Sequence, residues 1–223
     1  LADKLGVDYV WEVEHHFLEE YSHSSASEVF LAAASQRTQR IRLGYGIVAM
    51  PPGYQHPARV AEKVAMLDLV SNGRCEFGTG ETSSGAELAG FGVDRATKRE
   101  QWAEAVEVAT RMMAEEPFAG HRGRFVSVPP RNVVPKPVQS PHPPFWYGVS
   151  ATNSLKRAAR RHAVHVAHGD HGVLEMSVEP YGFSMFACQL PAPRGPPVPI
   201  GMRWLAAFDP YESTATFTRP AAM

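Results

Sequence analysis

Asp8-Tyr9-Val10-Trp11-Glu12-Val13-Glu14-His15-His16-Phe17 is a strand-prone run that ends in a carboxylate and two adjacent histidines. Tyr9, Val10, Trp11 and Val13 favour extended backbone, and nothing among them breaks a strand. Polar side chains at the C-terminal end of a buried strand occupy the place where α/β proteins bind ligands. Histidines there also serve as satisfied structural residues, and a zinc ion is the rival functional reading. Adjacent residues of a strand face opposite sides, so one ion cannot readily take both rings. No metal is expected.

Outward from this run the chain alternates. Upstream, Leu5-Gly6 reads as a helix end, with Gly6 as a left-handed cap. Downstream, Ser25-Ala26-Ser27-Glu28 has the form of a capping box and opens an Ala-rich helix to about Arg37. Ile41 to Met50 reads as a buried strand whose glycines, Gly44 and Gly46, signal close approach of another backbone or a ligand. His56-Pro57 starts a helix with Val60, Val64, Leu67 and Val70 on one face, and Asn72-Gly73 stops it. A short strand over Arg74 to Gly80 is followed by the small polar run Glu81 to Gly85. Ala96 to Glu115 predicts a helix with Trp102, Val106, Ala109 and Met113 inward. A hairpin follows over Phe118 to Val128, with Gly120-His121-Arg122-Gly123 as its turn. Pro129 to Pro144 is a proline-rich connection into the strand Phe145 to Val149, after which Ser150 or Thr152 caps a basic helix through Arg161.

A single strand-like run between successive helices is the signature of parallel βαβ units. No strand leads into Gly-x-Gly-x-x-Gly, which argues against a dinucleotide fold. The expected class is therefore α/β, of the (β/α)8 TIM-barrel type. From His162 the pattern fails: His162, His165, His168 and His171 recur every three residues, and Pro191 to Pro199 excludes a barrel helix or central strand. Residues 1–161 are read as a partial barrel and 162–223 as an irregular proline-rich tail, either read from a shifted frame or disordered. The barrel is expected to be incomplete, lacking its first and last strands.

The 223 residues are 44% hydrophobic and 20% charged with net charge -1, a soluble globular composition without the basic footprint of nucleic-acid or membrane-surface binding. Cys75 and Cys188 form no framework, no signal peptide is evident, and no run is long enough to cross a bilayer. A cytoplasmic location is expected.

Five spaced motifs together resemble the bacterial luciferase-like, flavin-dependent monooxygenases. They are Glu14-His15-His16-Phe17, Gly44-Tyr45-Gly46-Ile47-Val48-Ala49-Met50-Pro51, His56-Pro57-x-x-Val60-Ala61-Glu62, Leu67-Asp68-x-x-Ser71-x-Gly73-Arg74-x-x-Phe77-Gly78, and Arg131-Asn132-Val133-Val134-Pro135-Lys136-Pro137. The resemblance covers residues 1 to 161. It implies a (β/α)8 barrel that holds reduced FMN, or in some branches the deazaflavin F420, at its C-terminal face. It places the catalytic histidine at His15, with Glu14 beside it in the flavin region. It also implies a non-prolyl cis peptide at Gly46-Ile47 against the flavin ring, with Gly80 and Glu81 at the flavin-side end of the next strand. Arg99, Ser150 and Thr152 fall on phosphate-binding positions, although Arg99 also reads as part of a solvated helix face and Ser150 as a plain N-cap. Glu81 stands where the luciferases carry an arginine. It repels a phosphate, leaving Arg99 and the hydroxyls of Thr82, Ser83 and Ser84 to hold one. The implied activity is transfer of an oxygen atom from O2 into a small organic substrate, with a separate flavin reductase as partner and a homo-oligomer as assembly. Histidine suits proton transfer near neutral pH, which fits His15. Two alternatives are F420-dependent hydride transfer on the same barrel and a non-catalytic, truncated fragment.

Overall fold

The computed structural model describes residues 1–20, 22–149, 174–178, 183–190 and 205–207. The first half runs β1 (Tyr9–Glu12), α1 (Ser27–Ser35), β2 (Arg42–Tyr45), β3 (Val48–Ala49), α2 (Pro57–Val70) and β4 (Cys75–Gly80). It continues through α3 (Gly85–Gly90), α4 (Lys98–Ala114), the ribbon β5 (His121–Arg122) and β6 (Ser127–Val128), and β7 (Phe145–Val149). Strands β1, β2, β4 and β7 lie side by side and parallel, and helices connect them as crossovers. This is the α/β architecture expected of a (β/α) barrel, with the C-terminal ends of all four strands on one face.

Glycine sets the spacing of these strands. In β2 and β4, Gly44 and Gly78 leave room for the Trp11 indole, and a Cβ on Gly78 would also overlap the Tyr45 carbonyl. On the same inner face Trp11 meets Trp146 edge-on, with ring centroids 5.3 Å apart. Glu76, buried there, accepts from the Trp146 Nε1 at 2.6 Å and pairs with the Arg42 guanidinium. The opposite face is apolar. Leu43, Tyr45, Cys75, Phe77, Phe145 and Tyr147 pack there on Val60, Val64, Ala105, Val108 and Met112 of α2 and α4.

The N-terminal face is closed by a hydrogen-bonded lock. Arg74 donates to the carbonyls of Ser71, Ile41, Ser35 and Thr38 and to the Thr38 hydroxyl, fastening the end of α1 to the start of β4. Asp68, fully buried, accepts from both the backbone and the side chain of Gln139 at 2.8 and 2.7 Å. The Leu67-Asp68-x-x-Ser71-x-Gly73-Arg74 motif is thus structural here, and it pins the proline-rich connection beneath the sheet. Lys136 in that connection donates to the carbonyls of Met112 and Glu115, groups that the end of α4 leaves unpaired.

Several local expectations differ. The helix after the first strand starts at Ser27, and its N-cap, Ala26, makes no side-chain bond, so the capping box does not form. Helix α3 starts at Gly85, the last residue of the small polar run Glu81 to Gly85. In the hairpin, His121 and Arg122 belong to the outgoing arm, and the turn is Gly123 to Val126. The Glu104 carboxylate holds that turn by accepting from the N–H groups of Arg124, Phe125 and Val126. Within the segment expected to be irregular, the chain forms β8 (Leu174–Val178), β9 (Phe183–Leu190) and β10 (Leu205–Ala207). Strand β9 pairs antiparallel with β7 and β8, while β10 lies parallel to β1. The four spaced histidines and the Pro191 to Pro199 run lie outside the described residues.

Removing Glu76 leaves the Arg42 charge and the Trp146 N–H without their buried acceptor. Glu76→Ala is expected to cost about 3–5 kcal/mol, read as a lowered urea midpoint by tryptophan fluorescence. A loss within the range of an exposed substitution would show that the pair is solvated.

Candidate active site

The loops that leave the C-terminal ends of β1, β2 and β4 carry most of the polar residues singled out in the sequence. After Glu12 the chain turns through Val13 to Phe17, and the His15 N–H donates to the Ser24 carbonyl at 2.8 Å. His15 and His16 then diverge, as neighbours on extended backbone do. The His15 Nδ1 lies 3.1 Å from the Glu87 Oε1, with 29% of the histidine side chain accessible and only 3% of the glutamate. His16 instead enters an aromatic group with Phe91, Tyr54 and Phe17, its ring centroid 4.9 Å from that of Phe91. Burial pushes the Tyr54 phenol up to about 12, so it stays a neutral hydroxyl.

Glu87 is the residue that sequence reasoning missed. Its carboxylate accepts from the His16 N–H at 2.9 Å and the Thr82 hydroxyl at 2.7 Å as well as meeting His15. Burial raises this carboxyl, but the bonds from His15, Thr82 and the His16 N–H outweigh that effect and hold it below the ordinary 4.5. An ionised carboxylate only accepts, so the proton of the shared bond sits on the His15 Nδ1 and the Nε2 becomes the basic nitrogen. A local signal existed: Ser84-Gly85-Ala86-Glu87 has the capping-box form, and the Ser84 hydroxyl does accept from the Glu87 N–H at 3.2 Å. The Glu87 side chain, however, turns to His15.

Glu14 has other partners. Lys63 donates to it at 3.3 Å, Gln55 at 3.5 Å, and the His16 Nε2 lies 3.3 Å away. Glu12, two residues earlier, is buried, and one of its oxygens has no hydrogen-bond partner among the described residues. Burial raises the Glu12 carboxyl despite the nearby Ser24 hydroxyl.

The Gly46–Ile47 peptide bond is cis, at the position where the resemblance places one. It follows β2 directly, and the Ile47 side chain covers Gly80 of β4 and Gly148 of β7, where a Cβ would collide with it. Ile47 is partly exposed amid buried neighbours, so it presents an apolar surface at the strand ends. Glu81, next along from Gly80, accepts from the Tyr147 hydroxyl at 2.6 Å and lies 3.5 Å from the Lys98 ammonium. Of the three hydroxyls available for a phosphate, those of Thr82 and Ser84 are engaged with Glu87. Arg99, in the first turn of α4, is half-buried and has no ion pair among the described residues. Ser150 and Thr152 lie outside the described residues. Among the described residues no three histidine, cysteine or acidic side chains cluster as metal ligands, and no helix is long and apolar enough to cross a membrane.

The luciferase-like monooxygenase family model matches residues 1–179. The chain belongs to that family. The match extends beyond residue 161, into the segment read as a tail. Limonene 1,2-monooxygenase from Rhodococcus erythropolis is 40% identical over 114 residues, covering 51% of this chain and 29% of that protein. The oxygenase component of the flavin-dependent trigonelline monooxygenase from Acinetobacter baylyi is 29% identical over 164 residues, covering 72% and 44%. Among solved structures, the monooxygenase RslO1 from Streptomyces bottropensis is 37% identical with a TM-score of 0.65, covering 72% of this chain and 48% of that one. This member of the family thus spans less than half the length of each of these relatives.

The lowered Glu87 carboxyl makes a pH-dependent contribution to stability. With the folded value below 4.5, that contribution is present in full above 4.5 and is lost as pH falls through the folded value. The difference in urea midpoint between the native chain and Glu87→Gln should therefore be constant near neutral pH and shrink on acidification. A difference that grows in acid would overturn the assignment of Glu87 as an ionised partner of His15.

Proposed function

We propose that this chain carries the flavin-binding and proton-handling part of a flavin-dependent monooxygenase that uses reduced FMN and O2 on a small organic substrate. The observation that carries the reading is the His15–Glu87 pair. It gives an accessible imidazole a fixed tautomer, one strand away from the apolar Ile47 surface at the Gly46–Ile47 cis bond. These residues fit a flavin: Ile47 offers an apolar support for a flat ring, and Arg99, without an ion pair among the described residues, offers a cation for a phosphate. Two relatives of 37% and 40% identity are named as monooxygenases, and the Acinetobacter relative is named as flavin-dependent and as an oxygenase component. A separate reductase as partner follows from that last name.

When bound, a reduced flavin supplies two electrons to O2, with one oxygen atom going to the substrate and the other leaving as water. The chain's own residues do the rest. Gly46, Ile47 and Gly80 support the ring, and Arg99, with Ser150 and Thr152, holds the phosphate. Glu87 keeps the Nδ1 proton of His15 in place, and the Nε2 moves a proton at the reacting centre. Glu14, neutralised by Lys63, lines the same strand end.

Anaerobic fluorescence titration with reduced FMN and with F420 tests the cofactor, and product formation from a panel of small organic substrates tests the reaction. His15→Ala is expected to retain FMN binding while product formation falls about a hundredfold or more, as removal of a positioned acid–base group does. Undiminished product formation by that variant would remove His15 from the chemistry. Tight binding of F420 in place of FMN would turn the reading to hydride transfer, and a chain that binds neither is the non-catalytic fragment.

A further inference from the structure

Glu81 stands at the end of β4, on the face where an anionic cofactor group is proposed to sit. Left ionised and alone it would oppose that group, because like charges at such separations repel by amounts that decide binding. It is not alone. The Tyr147 hydroxyl donates to one oxygen at 2.6 Å, and the Lys98 ammonium lies 3.5 Å from the other. Lys98 also donates to the Thr82 carbonyl, so its long chain is held at two points over the strand end. The Tyr147 ring is itself packed on Trp102, with centroids 4.2 Å apart, and is buried. Arg99 follows Lys98 in the same helical turn and has no counter-ion among the described residues. Glu81 with Lys98 is therefore a compensated pair, and Arg99 is a cation without an ion pair among the described residues.

We infer that Glu81 is a positioning residue for Lys98, and that Lys98 and Arg99 together recognise the phosphate of the flavin. The inference rests on the flavin reading above. Lys98 brings an ammonium with three donors, one of them on the Thr82 carbonyl, while Glu81 pairs with its charge at 3.5 Å. A remaining donor serves a phosphate oxygen, and Arg99 supplies a second cation. The Glu81–Lys98 pair is what allows an acidic residue at the end of β4 to coexist with an anion.

The test compares FMN with riboflavin, which has the same ring and no phosphate, by fluorescence titration of the full chain. Lys98→Ala should lower the preference for FMN over riboflavin by about tenfold, the effect of one charge-assisted hydrogen bond. Riboflavin affinity should be unchanged, which shows that the variant folds. Adding Glu81→Gln to Lys98→Ala should recover FMN affinity several-fold, because it removes a carboxylate that has lost its counter-ion. The same Glu81→Gln change with Lys98 present should recover nothing. The inference is overturned if Lys98→Ala leaves the FMN-to-riboflavin ratio as it was, or if Glu81→Gln strengthens FMN equally in both backgrounds, since coupling is the content of the proposal. A native chain that binds neither ligand overturns instead the flavin reading beneath it.

Discussion

The fold turns on the Trp11 indole lying across two glycines. Gly44 and Gly78 have no Cβ, so β1, β2 and β4 can close on the ring from adjacent positions, and Trp146 completes the enclosure edge-on. A side chain on Gly78 would move a strand rather than a rotamer, because the obstruction there is the Tyr45 carbonyl, while one on Gly44 would run into the Trp11 ring. Everything beyond depends on that spacing: the depth at which Glu76 meets Arg42 and Trp146, and the level at which the strand ends stop and the loops of the candidate site begin. Packing of this kind is specific because it is a fit of shapes, and shape tolerates little change.

The two ends of the sheet carry different burdens. At the N-terminal end Arg74, Asp68 and Gln139 spend nearly every donor and acceptor on backbone groups and neighbouring side chains, which leaves little capacity for a ligand. At the C-terminal end the polar groups are paired with one another and each pair keeps an accessible member, as with His15 on Glu87 and Lys98 on Glu81. This division is the one that parallel barrels use generally, with stability at one face and chemistry at the other.

Much of this was legible in the sequence, for identifiable reasons. Alternation of strand and helix, the Pro57 start and Gly73 stop of α2, and the glycines of β2 and β4 are local signals, and the structure uses each where it is written. Signals with two local solutions were less informative. Ser25 to Glu28 has the capping-box form without forming the bonds, while Ser84 to Glu87 has the same form and accepts the N–H bond at the start of α3. The hairpin turn was displaced because Glu104, on another element, gathers the N–H groups of Arg124 to Val126. The candidate site was legible as a place rather than as a set of pairs. Nothing near His15 in the chain announces Glu87, and nothing near Glu81 announces Tyr147, because those contacts exist only after β4 has found its neighbours.

The His15–Glu87 bond joins residues 72 apart in the chain. Histidine and carboxylate are therefore carried on separate pieces of polypeptide, one at the end of β1 and one on a six-residue helix whose two ends are exposed. A graft that replaces only the segment between β4 and α4 would exchange the histidine's partner while leaving the tryptophan and glycine framework intact. The barrel thus offers a fixed socket for the imidazole and an interchangeable insert for its counter-group, an arrangement in which new chemistry can be tried without rebuilding the scaffold.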